Sequence, residues 1–279
     1  MAITMGKRAR RVGGDVLTYV VLVITGTMIL LPLLWMFSTS LKTRGELFLV
    51  PPVWVPKVLH WENYPDALTR MPFGRFFLNT SVITVFSVVG QLMSSPLVAY
   101  SFARLRFRGR NLLFMLVLGT MMLPAQVTMI PVYILFRQLG WIDTFLPLIV
   151  PNFFGSAYFI FLLRQFMLTI PPELGDAAKI DGCGYFGTFA RIYLPLSKPA
   201  LATLAIFTFT WAWNDFMGPV IYLNSRDNWT LSVGLRGFTA MYGQTPWQLL
   251  MAASLVTVIP CVLLYFFAQG YFIQGIVIT

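Results

Sequence analysis

The chain has 279 residues, of which 57% are apolar and only 11% are Asp, Glu, Lys or Arg. Soluble domains carry roughly 25% charged residues, and a soluble chain of this size needs far more polar surface to cover its core. A large soluble globule, a disordered chain and a disulfide scaffold are therefore excluded, and a mean hydropathy of +0.74 points to a multi-span helical membrane protein. The net charge of +10 does not suit a groove-binding patch in a chain mostly sunk in lipid, so no nucleic-acid partner is expected.

Charge-free windows measure the spans, because about 20 apolar residues cross the hydrocarbon core. They predict six helices, roughly 16–38, 77–101, 112–135, 145–167, 199–223 and 249–270. None alternates as an outer-membrane barrel strand would. The first span follows a basic start, yet Val16–Phe37 is too long for the apolar part of a signal peptide and no small-x-small cleavage site follows it. Next comes a long loop, about 39–76, in which Pro51, Pro52, Pro56 and Pro65 interleave with Trp54, Trp61 and Tyr64. It reads either as a segment lying along the membrane surface or as a passive connector. Gln126 and Asn152 are polar residues within the third and fourth spans, and Asp215 is the one acid inside a span, flanked by Trp211, Trp213 and Asn214. An acid at mid-bilayer costs roughly 2.5–3.5 kcal/mol on insertion scales, so it faces protein or water. Two readings stay open for it, an internal strut or the lining of a solute pathway. Pro124, Pro131, Pro151, Pro219 and Pro260 are expected to break their helices. The last long loop, about 224–248, is rich in Gly and aromatics, with Trp229, Gly234, Tyr242 and Gly243 as its exposed candidates for contact with another protein.

Lys and Arg set the orientation. With the N-terminus inside, Lys7, Arg8, Arg10, Arg11, Arg104, Arg106, Arg108, Arg110, Arg164, Lys179, Arg191 and Lys198 fall on the inner side, against Asp15, Glu173, Asp176 and Asp181. Eight basic and five acidic residues fall outside. The excess charge reads as topology, and six spans then place both termini inside.

One inner loop is unusual. Residues 168–198, between spans 4 and 5, include Ile170-Pro-Pro-Glu-Leu-Gly-Asp-Ala-Ala-Lys-Ile-Asp-Gly182 and continue to Leu194-Pro195-Leu-Ser-Lys-Pro199. Pro171 and Pro172 suit a first helical turn, with Thr169 as its cap. Glu173 and Asp176 lie near that helix's positive end, Ala177 and Ala178 permit close packing, and Gly182 stands where a helix stops. A second helical stretch runs to Leu194, where Pro195 is expected to end it.

These residues resemble the inner-loop signature of the permease subunits of binding-protein-dependent ABC importers. That signature begins Glu-Ala-Ala, has a Gly four residues after the second Ala and closes on Leu-Pro; here it is Asp176-Ala177-Ala178, Gly182 and Leu194-Pro195. The extended match, with Trp213-Asn214-Asp215 and the Arg104–Asn111 segment, is similar to the carbohydrate, maltose-type branch. The chain departs from the pattern in two places: Asp176 replaces the first Glu, and no basic tail follows the last span. The resemblance implies an all-α integral membrane protein with the type I importer permease fold, one transmembrane domain over 1–279 with a permease core over about 77–270. It implies coupling helices in 168–198, with Glu173, Asp176, Ala177, Ala178, Asp181, Gly182, Leu194 and Pro195 engaging a separate ATPase. It also implies a second permease, two ABC ATPase subunits, an extracytoplasmic sugar-binding protein contacting 224–248, and residence in a bacterial-type cytoplasmic membrane. Gln126, Asn152, Trp211, Trp213, Asn214 and Asp215 are then candidates for a sugar pathway.

The chain has no GxxxxGK[ST] stretch, so ATP and Mg belong to the partner ATPase and no cofactor is expected in this chain. Its single His, His60, stands in a loop, and no His/Cys/Asp cluster or base–nucleophile pair suggests an enzyme or a metal site. The alternatives are an ion-driven secondary transporter or an ABC permease for another solute, such as a glycerol-phosphate.

Overall fold

The computed structural model describes residues 2–240 and 245–276, with side chains for residues 14–239 and 245–270. Every regular element among them is helical: α1 (Ala2–Ser40), α2 (Asn63–Thr69), α3 (Phe73–Arg104), α4 (Arg110–Thr120), α5 (Ala125–Gln138), α6 (Leu146–Ile149), α7 (Ala157–Thr169), α8 (Pro172–Ile180), α9 (Tyr185–Thr188), α10 (Leu194–Leu196), α11 (Lys198–Asn214), α12 (Met217–Tyr222), α13 (Leu231–Ala240) and α14 (Trp247–Ile276). Short 3₁₀ turns cover Val150–Phe154 and Arg226–Asn228, and a π-helical turn covers Phe189–Tyr193.

Four helical segments are long and apolar enough to cross a membrane: Gly14–Ser40, Phe73–Arg104, Leu146–Thr169 and Trp247–Gly270. Two further candidates are bent pairs, Arg110–Thr120 with Ala125–Gln138 at 97° and Tyr185–Leu196 with Lys198–Asn214 at 77°, so the span count is four to six.

The uninterrupted helix expected over 112–135 is thus two helices. Pro124 is extended (φ −60°, ψ 135°) and lacks the N–H that would continue the ladder. The helix expected over 199–223 also stops early, at Asn214. Asp215 is extended (φ −63°, ψ 124°), and its Oδ1 accepts the Gly218 N–H at 3.1 Å at the start of α12, a local alternative to the helical ladder. The prolines divide. Pro124 and Pro151 sit at breaks, whereas Pro131 and Pro260 lie inside α5 and α14, and Pro219 lies within α12. Helices in lipid tolerate such residues where neighbours or local adjustment satisfy the freed carbonyl.

The chain forms two compact units, Met1–Arg70 with Phe238–Thr257, and Met71–Gly237 with Val258–Thr279. In the first, the end of α1 is tied to the following loop. Asn63 Nδ2 donates to Ser40 O and Lys42 O at 2.9 and 3.0 Å, and the Lys42 ammonium lies 4.0 Å from the Trp35 ring centre. None of the apolar window of α1 is buried within the chain.

The second unit is organised on α3, which packs against α7, α11 and the Val150–Phe154 turn. Its core gathers Ala99, Tyr100, Phe159, Leu163, Met167, Tyr193 and Leu204. Lipid tails are as apolar as leucine, so helices associate here by close packing and small residues. Gly90 shows this directly: a Cβ there would stand 2.8 Å from the Phe153 ring and 3.0 Å from the Asn152 carbonyl carbon.

Candidate functional site

Three places hold the residues singled out in the sequence. The first is the 168–198 loop. Pro171 and Pro172 open α8 as expected, but Thr169 does not cap it: its hydroxyl bonds back to Phe166 O at 2.8 Å, closing the preceding helix. At the other end Gly182 takes a left-handed conformation (φ +82°). Its N–H reaches Lys179 O at 3.0 Å, and the Cys183 N–H reaches Ala178 O at 2.9 Å. These two bonds make a Schellman stop, which only a residue tolerant of positive φ allows. Glu173 lies in the first turn and Lys179 in the last, both complementing the helix dipole.

The inner side of α8 is made by Gly175 and Ala178, both buried. A Cβ at Gly175 would stand 2.7 Å from the Tyr193 hydroxyl, so glycine sets how closely α8 rests on the π-helical turn. The opposite side is open. Ile180 is 87% exposed, Leu174 is exposed too, and Tyr185 and Phe186 follow it on the next turn. Ala177, Asp181 and Gly182 are exposed as well; Asp176, also exposed, stands towards the edge of the inner side and pairs with Lys179 at 2.9 Å. Leu194 and Pro195 stand apart from α8. Leu194 packs against the core cluster, and Pro195 lies in the first turn of α10. The stretch ends at Leu196, one residue past Pro195, where the path bends by 77° into α11, close to the expected stop.

The second place is a cavity of about 360 Å³ lined by residues of α3, α6, the Val150–Phe154 turn, α11 and α12. Asn152, Trp211 and Asp215 border it; Gln126, Trp213 and Asn214 do not. Trp213 is buried, stacked on Phe209 at 5.4 Å. Asn214 bonds back to Thr210 O at 2.8 Å, and Gln126 is exposed on α5. Ser87 and Gln91, not foreseen from the sequence, also line the cavity, and Ser95 backs Gln91 from outside the lining. Ser95 Oγ donates to Gln91 Oε1 at 2.7 Å, Gln91 Nε2 to Asn152 Oδ1 at 3.1 Å, and Asn152 Nδ2 to Ser87 Oγ at 3.1 Å. Ser87, Gln91 and Ser95 recur every four residues along one face of α3, and that spacing is the signal that would have found them. The buried Thr208 and Thr230 hydroxyls at the cavity have no hydrogen-bond partner among the described residues. Trp211 adds an aromatic face, stacked on Phe207 at 6.0 Å. Asp215 is the single charged residue in the described lining. The cavity thus offers hydroxyls, amides and an indole, the groups that bind a neutral polyhydroxylated solute.

The third place is the 224–248 loop. Asp143 staples its beginning, at 224–228. The Asp143 carboxylate accepts the N–H groups of Asn224 and Ser225 at 2.9 and 2.8 Å and also the Ser225 hydroxyl, while Asn228 Nδ2 donates to Asp143 O at 2.7 Å. These bonds, led by those from Ser225, hold the Asp143 carboxyl down at about 2. Arg75 pairs with Asp227 at 3.2 Å, and Asn79 Nδ2 donates to Asp227 O and Trp229 O at 2.8 and 2.9 Å. Gly234 is buried against the Phe76 ring within α13, and Trp229 is half-buried beside the same ring. Tyr242 and Gly243 lie outside the described residues.

Apolar helices, a polar cavity within the second unit and a short exposed helix on a loop suit a membrane transport subunit. The family described as "Binding-protein-dependent transport system inner membrane component" matches residues 95–278. The arabinooligosaccharides transport system permease protein AraQ of Halalkalibacterium halodurans is 35% identical over 250 residues, 88% of this chain and 89% of that protein. The sn-glycerol-3-phosphate transport system permease protein UgpE of Yersinia pestis is 34% identical over 274 residues, 96% and 97% of the two chains. A chain in the crystal structure of a bacterial ABC transporter involved in the import of the acidic polysaccharide alginate superposes with a TM-score of 0.82 at 26% identity, covering 95% of this chain and 98% of that one. The chain belongs to the inner membrane components of binding-protein-dependent transport systems. It is a permease subunit, and the ion-driven alternative is set aside.

Proposed function

We propose that this permease carries a neutral sugar, a di- or oligosaccharide, across a bacterial-type cytoplasmic membrane. In this reading it spans the membrane six times with both termini inside, pairs with a second permease, and is moved by two separate ATPase subunits that hold ATP and Mg. The exposed side of α8 carries the reading. Leu174, Ala177 and Ile180 stand open on a helix braced from behind by Gly175 against Tyr193 and stopped by Gly182. A stiff helix with an apolar outer side is what a lever needs if a partner's closure is to move the bundle. Burying one such side chain in a partner groove contributes about 1.5–3 kcal/mol. Deleting Asp176–Gly182 is expected to leave membrane insertion intact and abolish co-purification with the ATPase; undiminished co-purification would sink the assignment.

For the solute, the relatives include permeases named for arabinooligosaccharides and for glycerol-phosphate. The cavity favours the first kind, since its described lining holds one carboxylate, Asp215, and no Lys or Arg. A phosphate ester entering beside Asp215 would find no cation there to pair with. Uptake of a neutral oligosaccharide into vesicles of the assembled importer, with glycerol-phosphate as competitor, decides between them. The binding protein is placed at the 224–248 loop in this reading, where Asp143 and Arg75 hold the first turn of the loop in position.

A further inference from the structure

A second cavity, of about 590 Å³, lies behind α8, and its charges do not balance. Arg104 at the end of α3, Arg106 in the link that follows, Arg110 at the start of α4 and Lys179 of α8 border it. Asp176 is the one acid in its described lining, and it is already paired with Lys179 at 2.9 Å. The arginines differ in what they do. Arg104 is built into the fold: it donates to the carbonyls of Met167 and Ile170 and lies 4.9 Å from the Tyr193 ring centre. Its Nε–H is buried with no acceptor among the described residues. Arg110 donates through one nitrogen to Leu105 O at 3.2 Å, and the rest of its fork is uncommitted. Arg106 is exposed and makes no ion pair or hydrogen bond among the described residues. The same two residues, Arg106 and Arg110, border a neighbouring hollow of about 370 Å³ together with Gly109, Asn111 and Leu112. That hollow opens onto the first turn of α4, where Gly109 turns the chain with φ +85° and the free N–H groups of the helix point outward.

We infer that Arg106, Arg110 and the start of α4 form a binding site for a phosphate group, either a lipid phosphodiester or a soluble phosphate ester. Guanidinium forks match phosphate oxygens in pairs, a helix start adds outward N–H groups and a positive dipole end, and basic pockets at the ends of membrane helices suit anionic headgroups. Clustered cations with a single, already paired acid are costly until an anion joins them. The site shares no lining residue with the Asp215 cavity, so it is separate from the solute pathway. It does not depend on which sugar is carried or on the docking of α8. An anion there would lie in the hollow along residues 106–112, beside the cavity behind α8.

The test uses the assembled importer in detergent, titrated with phosphatidylglycerol or phosphatidylcholine and read by native mass spectrometry, with inorganic phosphate titrated calorimetrically as a second arm. The wild type is expected to retain phosphatidylglycerol over phosphatidylcholine, and Arg106→Gln and Arg110→Gln each to reduce that preference about fivefold. Retention that millimolar phosphate does not displace identifies a lipid; phosphate binding without lipid preference identifies a soluble ester. The Arg106→Gln change touches no hydrogen bond, so it guards against loss of fold. Equal retention of both lipids with no heat from phosphate overturns the inference. So does a double variant that binds phosphate and lipid as the wild type does yet loses the ATPase subunit, which would assign the arginines to protein docking.

Discussion

Asp143 holds a left-handed conformation (φ +63°) that most side chains avoid and Asp tolerates. Its carboxylate is occupied by donors from 224–228, which is why its pKa falls from 3.8 to about 2. A depressed carboxylate stabilises the fold above its unfolded value and loses that contribution as pH falls through the folded one. The tie is therefore complete above about pH 4 and is lost toward pH 2. Asp143→Asn is expected to lower the midpoint of thermal unfolding at pH 7 and to flatten its dependence on pH between those limits. Melting curves of both proteins across that range check it. A parallel pair of curves would show that the carboxylate does not anchor the loop.

Gly175 makes a second residue-scale case. An added methyl would press on the Tyr193 hydroxyl, and overpacking of this kind costs about 1–3 kcal/mol. Gly175→Ala is expected to destabilise the seat of α8, and Tyr193→Phe in the same chain to recover most of the loss. A double-mutant cycle on protease cleavage within 168–198 measures the coupling. Additive effects would show that the two residues do not share a contact. Gly175 was not readable in the sequence as a packing residue, because its reason lies 18 positions away in a π-helical turn that no local pattern announces. Gly182 was readable, because a helix stop is a local event with a local signal.

Elements obeyed the same division. The continuous helices α1, α3 and α14 cover the apolar windows that the missing charges marked out. The bent pairs were half visible: composition gave their length, but the 97° turn at 121–124 depends on Pro124 together with the three residues before it. Prolines alone misled, since Pro131 and Pro260 are carried inside helices. The cavity was found only in part. Asn152, Trp211 and Asp215 stood out as polar or aromatic residues within apolar runs, whereas Ser87 and Gln91 count as small or neutral and acquire meaning only when α3 meets the 150–154 turn across Gly90. At this scale Gly182→Ala is the informative change. Forcing a Cβ into the left-handed region costs about 1–2 kcal/mol, so the Schellman stop should fray and α8 lose its fixed end. ATPase activity stimulated by the loaded binding protein is expected to drop at least several-fold while ATPase co-purification persists. Unchanged stimulation would mean that the end of α8 need not be rigid.

For the whole molecule, the proposed orientation and the proposed docking surface make one joint prediction, because both are fixed by the side of the membrane on which 168–198 lies. Cys183 follows Gly182 in that loop, is a free thiol and is half-buried; Cys261 is the other, within α14. With Cys261→Ser as background, a membrane-impermeant maleimide applied to intact spheroplasts is expected to leave Cys183 unlabelled. The same reagent applied to inverted vesicles stripped of the ATPase is expected to label it. Adding back the ATPase subunit should then slow labelling, since Cys183 lies one residue beyond the proposed contact and two residues before exposed Tyr185 and Phe186. The three arms separate the claims. Labelling from outside would reverse the topology derived from the basic residues, whatever docks on α8. Labelling from inside at a rate indifferent to the ATPase would keep the topology and remove the docking surface. Protection by the ATPase in inverted vesicles alone satisfies both, and it follows only if the few charges on this chain and the exposed side of one nine-residue helix belong to the same side of the membrane.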